Sequence, residues 1–562
     1  MADSPQKNIL FLMMDQLRWD CLSCYGHPVV ETPNIDRLAS KGVRFTNAYT
    51  QGSSCGNSRA SYYTGRHVRS HGATWNTHPF HLAEWTLADY LKPAGCKTVL
   101  MGKTHMKPDL EGMARLGIDL NSVQARSLLN AGFVLGEHDD GLYPEGPDGQ
   151  YSPVMPAYND YLKAQGFNGL NGKDGNGWFE WANAVEDDNG DVHSGFYIQY
   201  ANRPARIPKE HSETAYMTDR AIEEITNLGD QSWCLHLSYI KPHWPYVAPS
   251  PYHALYQGAD LPPMVQSAAE QVNPHPVYKA FMEMPICQNM TKQAYRDQAM
   301  VAYLGLIKEL DDNIGRLLVH LDNTGQADNT LIVLTSDHGD YFGDHWLAEK
   351  DLFHDQSVKV PMIILDPSEA ANSTRGTTSD HLVCAIDLLP TFVEYAANEG
   401  APEIPYHRLE GRSLLSILHG EPQRDRVLSN RNFIVSEGDY ARLPVAAKVS
   451  RDMYDARMTM GFDGRYKLIH FPGMPSMLFD LANDPQELFD LGRDPGYALI
   501  RAQLMEQMLD WSATLKNRTT VSESRFHATH SKSFRRGIIP GFWNEEDIAA
   551  ERRIPVLGST RC

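Results

Sequence analysis

The stretch Asn8–Asp15, NILFLMMD, decides the fold of this chain. Its six central residues are all apolar and do not alternate with polar ones, which is typical of a strand buried on both faces of a sheet. Further strands are predicted over Val43–Tyr49, Thr98–Met101 and Cys234–Ile240, with helical stretches between them. This β–α alternation predicts an α/β fold, in which a large, mostly parallel sheet is sandwiched by helices.

Changes in composition divide the chain into a large and a small part. Residues 1–422 carry the β–α pattern and form the predicted catalytic domain, whose last strands cover Thr330–Thr335 and Val360–Leu365. Between about residues 117 and 206 the pattern gives way to Gly, Asp, Asn and Pro, so we expect an irregular insertion that walls the site. Residues 423–516 predict a small antiparallel sheet plus one helix, beginning with a strand over Val427–Ile434.

The final segment, residues 517–562, is polar and irregular, but it contains large apolar side chains: Phe534, Ile538, Ile539, Phe542 and Trp543. A solvated tail has no need of such residues. They would pack either on a neighbouring subunit, which predicts a homo-oligomer (dimer or tetramer), or on the chain's own domain.

Composition narrows the range of partners. The formal net charge of −19 argues against nucleic acid or an anionic membrane as the main partner, so a small anionic substrate would have to be attracted by a local cluster of cations. The apolar run Ile9–Met14 is too short for a signal segment or a membrane span. Apolar neighbours around Cys96, Cys234 and Cys384 indicate buried free thiols in a reducing compartment. We therefore expect a cytoplasmic protein.

A second stretch, Gly52–Ser61 (GSSCGNSRAS), carries the candidate nucleophile. Cys55 is followed four positions later by the basic residue Arg59, and a helical pattern continues to Gly65. Backbone N–H groups at the start of a helix attract anions, and the same field favours a nucleophile at that position. The rest of the chain is expected to bring a metal and several cations to Cys55.

Acidic and basic side chains follow several predicted strands. Asp15 and the pair Asp337-His338 each stand just past an apolar strand, so they would converge on one metal ion at the carboxyl edge of the sheet, with Gln16 as a neutral extra ligand. Five basic groups fall at the same edge: Lys103, His105, Lys241, His243 and Lys350. Such a cluster together with a metal would stabilise an oxyanion in a site from which water is excluded.

Several motifs together resemble the sulfatase family, which lies within the alkaline phosphatase superfamily. The resemblance is carried by Asn8–Asp15, Thr32–Ala39, Cys55–Arg59, Gly102–His105, Lys241–His243 and Ser336–Asp340, with Tyr466–Leu468 and Leu478–Leu481 resembling the C-terminal subdomain of that family. It spans nearly the whole chain up to Asp494. It implies an alkaline-phosphatase-like fold and a sulfuric ester hydrolase of the arylsulfatase type.

The resemblance also implies how the nucleophile and the metal are made. In that family the cysteine of the motif C-x-P/A-x-R is converted to formylglycine, whose hydrate attacks sulfur and forms a covalent sulfo-enzyme intermediate. Cys55 would be this residue, with Arg59 steadying it, and a formylglycine-generating system would be a partner. One divalent metal would be held by Asp15, Gln16, Asp337 and His338 together with the modified Cys55.

The remaining site residues receive their roles from the same resemblance. Lys103 and Lys350 would bind the sulfuryl oxygens, and either His243 or Lys350 would protonate the leaving alcohol. His105 would be the base for the second step. Asn76 is placed in the substrate pocket by its likeness to the phosphonate monoester hydrolase branch.

Two features depart from the usual sulfatase pattern. Asn57 stands where the modification signal has proline or alanine. The metal set Asp15-Gln16 and Asp337-His338 resembles the phosphonate monoester hydrolase branch, whereas Gly102–His105 is sulfatase-like. A histidine ligand shifts the expected metal from calcium towards manganese or zinc. Because sulfate and phosphonate monoesters both carry one net negative charge, we expect one site to accept both, and a phosphonate monoester or phosphodiester hydrolase is the alternative function.

Two interpretations of a different kind stay open. Gly52–Gly56 fits G-x-S-x-G, the nucleophile elbow of serine esterases, in which Ser54 would attack an acyl carbon without a metal. In a non-catalytic anion-binding protein, Asn57 would instead block modification and Cys55 would stay a thiol. The aromatic residues Trp178, Phe179 and Trp181 would pack either on an aryl leaving group or within the insertion itself.

Overall fold

The computed structural model describes residues 6–141, 156–167, 183–397, 405–420, 431–529 and 541–547. Within them the strands are β1 (Asn8–Asp15), β2 (Val43–Tyr49), β3 (Lys97–Gly102), β4 (Val134–His138), β5 (Ala184–Glu186), β6 (Val192–Ser194), β7 (Trp233–Pro242), β8 (Thr330–Ser336), β9 (Met362–Leu365), β10 (Thr377–Cys384), β11 (Ile434–Asp439), β12 (Arg457–Phe462), β13 (Tyr466–His470) and β14 (Met477–Asp480). The α-helices are α1 (Pro33–Lys41), α2 (Cys55–Thr64), α3 (Val68–His71), α4 (Leu87–Leu91), α5 (Leu110–Arg115), α6 (Val123–Leu129), α7 (Ala157–Ala164), α8 (Glu213–Leu228), α9 (Pro276–Met282), α10 (Pro285–Met290), α11 (Gln293–Asn323), α12 (Asp355–Val358), α13 (Leu388–Ala396), α14 (Leu415–Leu418), α15 (Pro444–Lys448), α16 (Ala498–Thr514) and α17 (Glu523–Thr529).

Eight of the strands form one sheet in the order β10-β2-β9-β8-β1-β7-β3-β4. Seven of them are parallel, and β9 alone runs antiparallel to its neighbours β8 and β2. The predicted large, mostly parallel sheet is therefore confirmed. Its central strand β1 pairs with β7 on one side and with β8 on the other.

The side chains of β1 show why this strand is apolar throughout. Leu10, Leu12 and Met14 belong to one hydrophobic cluster, and Ile9, Phe11 and Met13 belong to another. Successive side chains of a strand point to opposite faces of the sheet. Both faces of the sheet are therefore buried, as the unbroken run of apolar residues predicts.

A small antiparallel sheet of β11, β12, β13 and β14 forms the C-terminal part, as predicted. It contacts the stretch just before Cys55, because Glu437 of β11 forms a parallel bridge with Gly52 and donates its N–H to the carbonyl of Gln51 at 2.9 Å. The Ser436 hydroxyl donates to the carbonyl of Thr50. The predicted boundary at residue 422 and residues 427–430 of the predicted first strand lie outside the described residues, and β11 begins only at Ile434.

The prediction that residues 117–206 are an irregular insertion is wrong for part of this segment. It contains α6, α7 and the β5–β6 hairpin, and its strand β4 pairs with β3 at the edge of the large sheet. Only Glu137 of β4 is buried. An edge strand exposed in this way has no apolar pattern that would reveal it in the sequence.

Some predicted residues cannot be placed in the fold. Trp178, Phe179 and Trp181 lie outside the described residues, and so do Phe534, Ile538 and Ile539 of the tail. Within the described tail the side chain of Trp543 is exposed. Among the helices described, none combines the length and the apolar character that crossing a bilayer requires.

Candidate active site

The candidate site lies at the carboxyl edge of the large sheet. Asp15 is the last residue of β1, Asp337 directly follows β8, and Lys103 directly follows β3. His243 directly follows β7. Because parallel strands end at the same edge of a sheet, residues far apart in the sequence meet there.

Asn57 shapes the turn that leads to Cys55, the first residue of α2. Its side-chain oxygen accepts the Ser54 N–H at 3.0 Å, and its side-chain nitrogen donates to the Thr74 carbonyl at 3.2 Å. A Cβ atom at Gly52 would lie 2.2 Å from the same Asn57 oxygen, so glycine is required there. Asn57 therefore caps the helix at the position where the resemblance has proline or alanine.

The Cys55 thiol is fully buried among charged and polar groups. Its sulfur lies 3.0 Å from Nε2 of His338 and 3.3 Å from Nζ of Lys350. Nζ of Lys103 is 4.0 Å away and Oδ1 of Asp15 is 3.9 Å away. The structure therefore brings together the predicted nucleophile, both predicted anion-binding lysines and two of the predicted metal ligands.

The predicted metal ligands form a compact set. Ligand atoms of Asp15, Cys55, Asp337 and His338 all lie within 4.8 Å of one another. Nδ1 of His338 is 2.8 Å from the Gly339 carbonyl oxygen. Because a carbonyl oxygen can only accept a hydrogen bond, Nδ1 carries the proton, and the lone pair of Nε2 is available to a metal ion. Burial lowers the pKa of His338, which keeps this tautomer neutral. Two carboxylates and a neutral imidazole fit a divalent cation.

The side-chain amide of Gln16 lies beside the predicted metal ligands. Its oxygen accepts a hydrogen bond from Nζ of Lys350 at 3.1 Å, while the Gln16 nitrogen donates to Oδ2 of Asp340. The Tyr246 hydroxyl donates to the same Asp340 oxygen at 2.8 Å. Because a carboxylate can only accept hydrogen bonds, Asp340 fixes which end of the Gln16 amide faces the ligand set.

Arg59 holds the two carboxylates of the ligand set. Its Nη2 lies 2.8 Å from Oδ2 of Asp15, and its Nε lies 2.8 Å from Oδ2 of Asp337, with all three side chains fully buried. Nη1 donates to the Lys103 carbonyl at 2.8 Å and to the Ser238 hydroxyl at 2.7 Å. Arg59 thus acts on the carboxylates beside Cys55, whereas the resemblance implied that it steadies the modified cysteine.

Lys103 lies against the acidic side of the site. Its Nζ is 2.7 Å from Oδ2 of Asp15. Burial alone would raise the pKa of Asp15. Lys103 and the neighbouring cations nevertheless hold this pKa well below its usual range. Asp15 therefore stays ionised, as a metal ligand must.

The His105 turn is fixed by an acid that the sequence did not single out for the site. Oδ1 of Asp140 accepts the N–H groups of Thr104 and His105 at 2.8 and 3.0 Å, and His105 has a positive φ of 52°. Burial and the charge of Lys103 lower the pKa of the His105 imidazole. His105 is therefore a neutral base in this environment.

His243 and Lys350 form a pair at the other side of Cys55. Nδ1 of His243 donates to the Trp244 carbonyl at 2.8 Å, which leaves Nε2 as an acceptor 3.3 Å from Nζ of Lys350. Burial and Lys103 lower the pKa of His243 well below its ordinary value. Burial alone would lower the pKa of Lys350, but the neighbouring Cys55 and Glu349 raise this pKa above its ordinary value. The proton of this contact therefore resides on Lys350, and the neutral His243 accepts its hydrogen bond.

Three predicted residues have contacts that their predicted roles do not include. Lys241 turns away from Cys55 and donates to the Pro245 carbonyl at 3.0 Å, beside a neighbouring cavity. The Asn76 side-chain oxygen accepts the Gly56 N–H at 2.7 Å, so this end of the amide supports α2. No hydrogen-bond partner among the described residues is found for the Ser54 hydroxyl, so it lacks the base that a serine nucleophile needs.

Sequence reasoning missed Asp140 and left Asp340 without a role. Asp140 follows the edge strand β4, whose sequence carries no strand pattern. Asp340 stands in the Ser336–Asp340 motif, three residues after a predicted ligand. A polar residue this close to a ligand signals a supporting role, because metal ligands are themselves oriented by hydrogen bonds.

Two family profiles cover most of the chain. Residues 7–398 match the family described as "Sulfatase", and residues 343–514 match the family described as "N-sulphoglucosamine sulphohydrolase, C-terminal". The first match spans the large sheet together with all the site residues described above.

Individual proteins agree with this assignment. The chain is 30% identical over 533 residues to "Multifunctional alkaline phosphatase superfamily protein PehA" of Trinickia caryophylli, covering 92% of this chain and 96% of that protein. It is 28% identical over 398 residues to "Arylsulfatase" of Clostridium perfringens, covering 69% of this chain and 74% of that protein. The solved structure "Phosphonate monoester hydrolase SpPMH from Silicibacter pomeroyi" superposes with a TM-score of 0.77 at 27% identity and covers 92% of this chain and 97% of that chain. With the profile match and these relatives over a shared fold, the chain belongs to the sulfatase family and is a hydrolase.

Proposed function

We propose that this protein hydrolyses sulfate monoesters in a metal-dependent reaction, using a formylglycine formed from Cys55. One observation carries the proposal: the Cys55 sulfur lies within 4.0 Å of the ammonium groups of both Lys103 and Lys350 and beside the acidic ligand set. A nucleophile in this position attacks an anionic ester whose oxygens are bound by two cations. Such preorganised positive charge stabilises the transition state.

The metal would be held by Asp15, Gln16, Asp337 and His338, together with the modified residue at position 55. When bound, a divalent ion (calcium or manganese, with zinc as a further candidate) would acidify the nucleophile and offset the charge of the ester. Arg59 keeps the two carboxylates in place by its 2.8 Å contacts with each of them.

Two proton transfers are assigned to the groups on opposite sides of Cys55. We assign proton donation to the leaving alcohol to the His243–Lys350 pair, whose nitrogen atoms are 3.3 Å apart. We assign the base of the sulfate-releasing step to His105, because its buried imidazole is neutral and near Cys55. The net reaction consumes one ester and one water and yields sulfate and an alcohol.

A second candidate function is hydrolysis of phosphonate monoesters or phosphodiesters at the same site. It is favoured by the ligand set Asp15-Gln16 and Asp337-His338 and by the similarity to the phosphonate monoester hydrolase structure. Both kinds of ester carry one negative charge, so the two lysines would bind either. We propose that the enzyme is promiscuous between them.

A rate comparison tests the proposal. Metal-loaded protein is assayed with an aryl sulfate, an alkyl sulfate and a phenylphosphonate monoester, beside Cys55→Ala and the control Cys96→Ala, which removes a buried thiol elsewhere. We expect sulfate turnover that is abolished in Cys55→Ala and kept in Cys96→Ala. Dominant turnover of the phosphonate ester would move the assignment to the second function. Activity that survives in Cys55→Ala, or in excess chelator, would contradict both.

Cellular setting and assembly are part of the proposal. The described cysteines, Cys21, Cys24, Cys55, Cys96, Cys234, Cys287 and Cys384, are all free thiols, which favours the cytoplasm. A formylglycine-generating system would be the partner that modifies Cys55.

The exposed Trp543 supports a dimer or tetramer, which light scattering on wild type and Trp543→Ser would test.

A further inference from the structure

A cavity of about 50 Å³ adjoins the candidate active site. It lies under the loop that follows β7, between the first turn of α8, the middle of α11 and the end of β4. Apart from Asp140 and His243, which belong to the site described above, its ionisable and aromatic lining is formed by Asp139, Tyr158, Glu213, Lys241, Trp244 and Glu309. None of these side chains has a role in the reaction proposed above.

Three carboxyl groups of this cavity, those of Asp139, Glu213 and Glu309, form no ion pair within the described part of the chain, whereas Asp140 pairs with His138 at 3.3 Å. Glu309 is only 1% exposed, and its Oε1 atom has no hydrogen-bond partner there. Oε1 of Glu213 is also buried and has no hydrogen-bond partner among the described residues. Lys241 forms no ion pair with them and instead donates to the Pro245 carbonyl at 3.0 Å. The cavity therefore holds acceptor atoms that no described group of the protein satisfies.

Burial opposes ionisation of these carboxyl groups. It raises the pKa of Asp139 and of Glu309 to about 7 in each case. It also raises the pKa of Glu213 well above its usual range, with Asp139 acting in the same direction. A cation placed between them would reverse this effect, because an opposite charge nearby favours the ionised form.

The cavity and the reaction centre share the loop after β7. His243 and Trp244 line the cavity, and the same His243 places its Nε2 atom 3.3 Å from Lys350 beside Cys55. On the other side, Asp140 lines the cavity and accepts the N–H groups of the turn that carries His105. An ester whose leaving alcohol is protonated by the His243–Lys350 pair, as proposed above, therefore has this cavity next to its alcohol half.

We propose that the cavity binds an ammonium group carried by the alcohol half of the substrate, so that the preferred esters are short zwitterionic sulfates or phosphonates of amino alcohols. A primary ammonium has three N–H donors and no acceptor, which complements Glu213, Glu309 and Asp139. One water needs roughly 10–15 Å³ of such volume, so the cavity accepts an aminoalkyl group of a few atoms and is too small for an aryl ring. One ammonium group, that of Lys241, stands beside these three carboxyl groups and leaves an excess of two.

This inference rests on the proposed ester hydrolysis, and a matched pair of substrates tests it. 2-Aminoethyl sulfate and n-propyl sulfate have the same number of non-hydrogen atoms and differ in the ammonium group. The variants are Glu309→Gln and Glu213→Gln, and the control is Glu223→Gln, which removes an exposed carboxylate from the same helix as Glu213. We expect wild type to prefer the aminoethyl ester at least tenfold in kcat/KM.

In the cavity variants this preference should disappear. Glu309→Gln and Glu213→Gln should each lower kcat/KM for 2-aminoethyl sulfate at least tenfold and change it less than twofold for n-propyl sulfate, and Glu223→Gln should change neither. Equal losses for both esters, or no loss in either cavity variant, would overturn the proposal.

A binding measurement separates this proposal from the hydrolytic function. Calorimetry with ethanolamine, the alcohol released from the aminoethyl ester, requires no turnover. Binding to wild type that weakens at least tenfold in Glu309→Gln supports the ammonium site even if neither sulfate is hydrolysed, in which case the proposed function alone fails. Absence of ethanolamine binding to wild type would overturn the ammonium site.

Discussion

Nε2 of His338 lies 3.0 Å from Sγ of Cys55, and the opposite nitrogen of the ring is bound to the Gly339 carbonyl. The ring is therefore oriented so that its free lone pair points at Sγ, the position that an oxygen of formylglycine would take under the proposed function. A histidine held in this way is suited to keep a metal ion beside that atom.

Replacing His338 should remove the metal. We expect His338→Ala to lose bound divalent metal on dialysis and to lose ester hydrolysis with it, because one ligand of the compact set is deleted. Metal per chain is measured by elemental analysis. His381→Ala, which removes an exposed histidine, is the control and should keep the wild-type metal content. Full metal content in His338→Ala would remove His338 from the ligand set.

Asp340 should influence the metal without touching it. Asp340→Ala frees the Gln16 amide to rotate, so we expect metal affinity to fall roughly ten- to a hundredfold, as for other groups that orient ligands. Tyr246→Phe removes only the second hydrogen bond to the same carboxylate and should have a smaller effect. Competition with a chelating dye measures both affinities. An affinity equal to wild type in Asp340→Ala would show that Gln16 needs no such support.

Lys103 should matter far more for sulfate turnover than for folding. Lys103→Met deletes one of the two cations near Cys55, and loss of one such group reduces turnover by roughly a hundred- to a thousandfold. Initial rates on an aryl sulfate measure this effect, and thermal unfolding monitors the fold. Lys92→Met, a change at an exposed lysine, should leave the rate unchanged. Normal sulfate turnover in Lys103→Met would take Lys103 out of the site.

Replacing Asn57 should change both the stability of the protein and the conversion of Cys55 to formylglycine. Asn57→Ala deletes the hydrogen bonds to Ser54 and Thr74, so we expect the free energy of unfolding to fall by about 1–3 kcal/mol. Alanine also restores the usual modification signal, so the converted fraction of Cys55 should rise when a formylglycine-generating system is present. Mass spectrometry of the tryptic peptide reports conversion as loss of sulfur and gain of oxygen. Asn47→Ala, at an exposed hydrogen bond, is the control, and unchanged conversion in Asn57→Ala would contradict the link.

Lys467 should anchor the C-terminal sheet. Its Nζ atom is fully buried, 2.7 Å from Asp355 and 2.6 Å from Glu487. Lys467→Met leaves the buried Glu487 without a cation and Asp355 with only Lys359, at 3.4 Å, so we expect a loss of about 3–5 kcal/mol in urea unfolding. Lys448→Met breaks an exposed pair with Glu283 and should cost at most about 1 kcal/mol. Equal effects of the two changes would show that the buried contacts do not stabilise the fold.

The sequence was sufficient to predict the large sheet and the meeting of Asp15 with Asp337. Asp15 ends and Asp337 directly follows a strand that is buried on both faces, and such strands are visible as apolar runs. Parallel strands then determine that the residues after them share one edge. The same logic predicted Lys103 and His243 at this edge, where Nζ of Lys103 lies 4.0 Å from the Cys55 sulfur and Nε2 of His243 lies 3.3 Å from Nζ of Lys350.

The features that sequence reasoning missed depend on side-chain direction and on weakly patterned elements. Lys241 is in the predicted place at the edge of the sheet, but its ammonium binds loop carbonyls and faces the neighbouring cavity. Asp140 follows an edge strand without an apolar signature. Arg59 was expected beside the nucleophile, and its contacts with both carboxylates could be seen only in three dimensions.

The bridge between Gly52 and Glu437 has a consequence for the order of events during synthesis of the chain. The turn before Cys55 is closed by a strand that leaves the ribosome long after the turn itself, and once it is closed the thiol is inaccessible to another enzyme. Any catalyst that oxidises Cys55 must therefore act on the nascent or incompletely folded chain. Under the proposed conversion of Cys55, maturation and folding would compete for the same interval, and a faster-folding variant would be converted less completely.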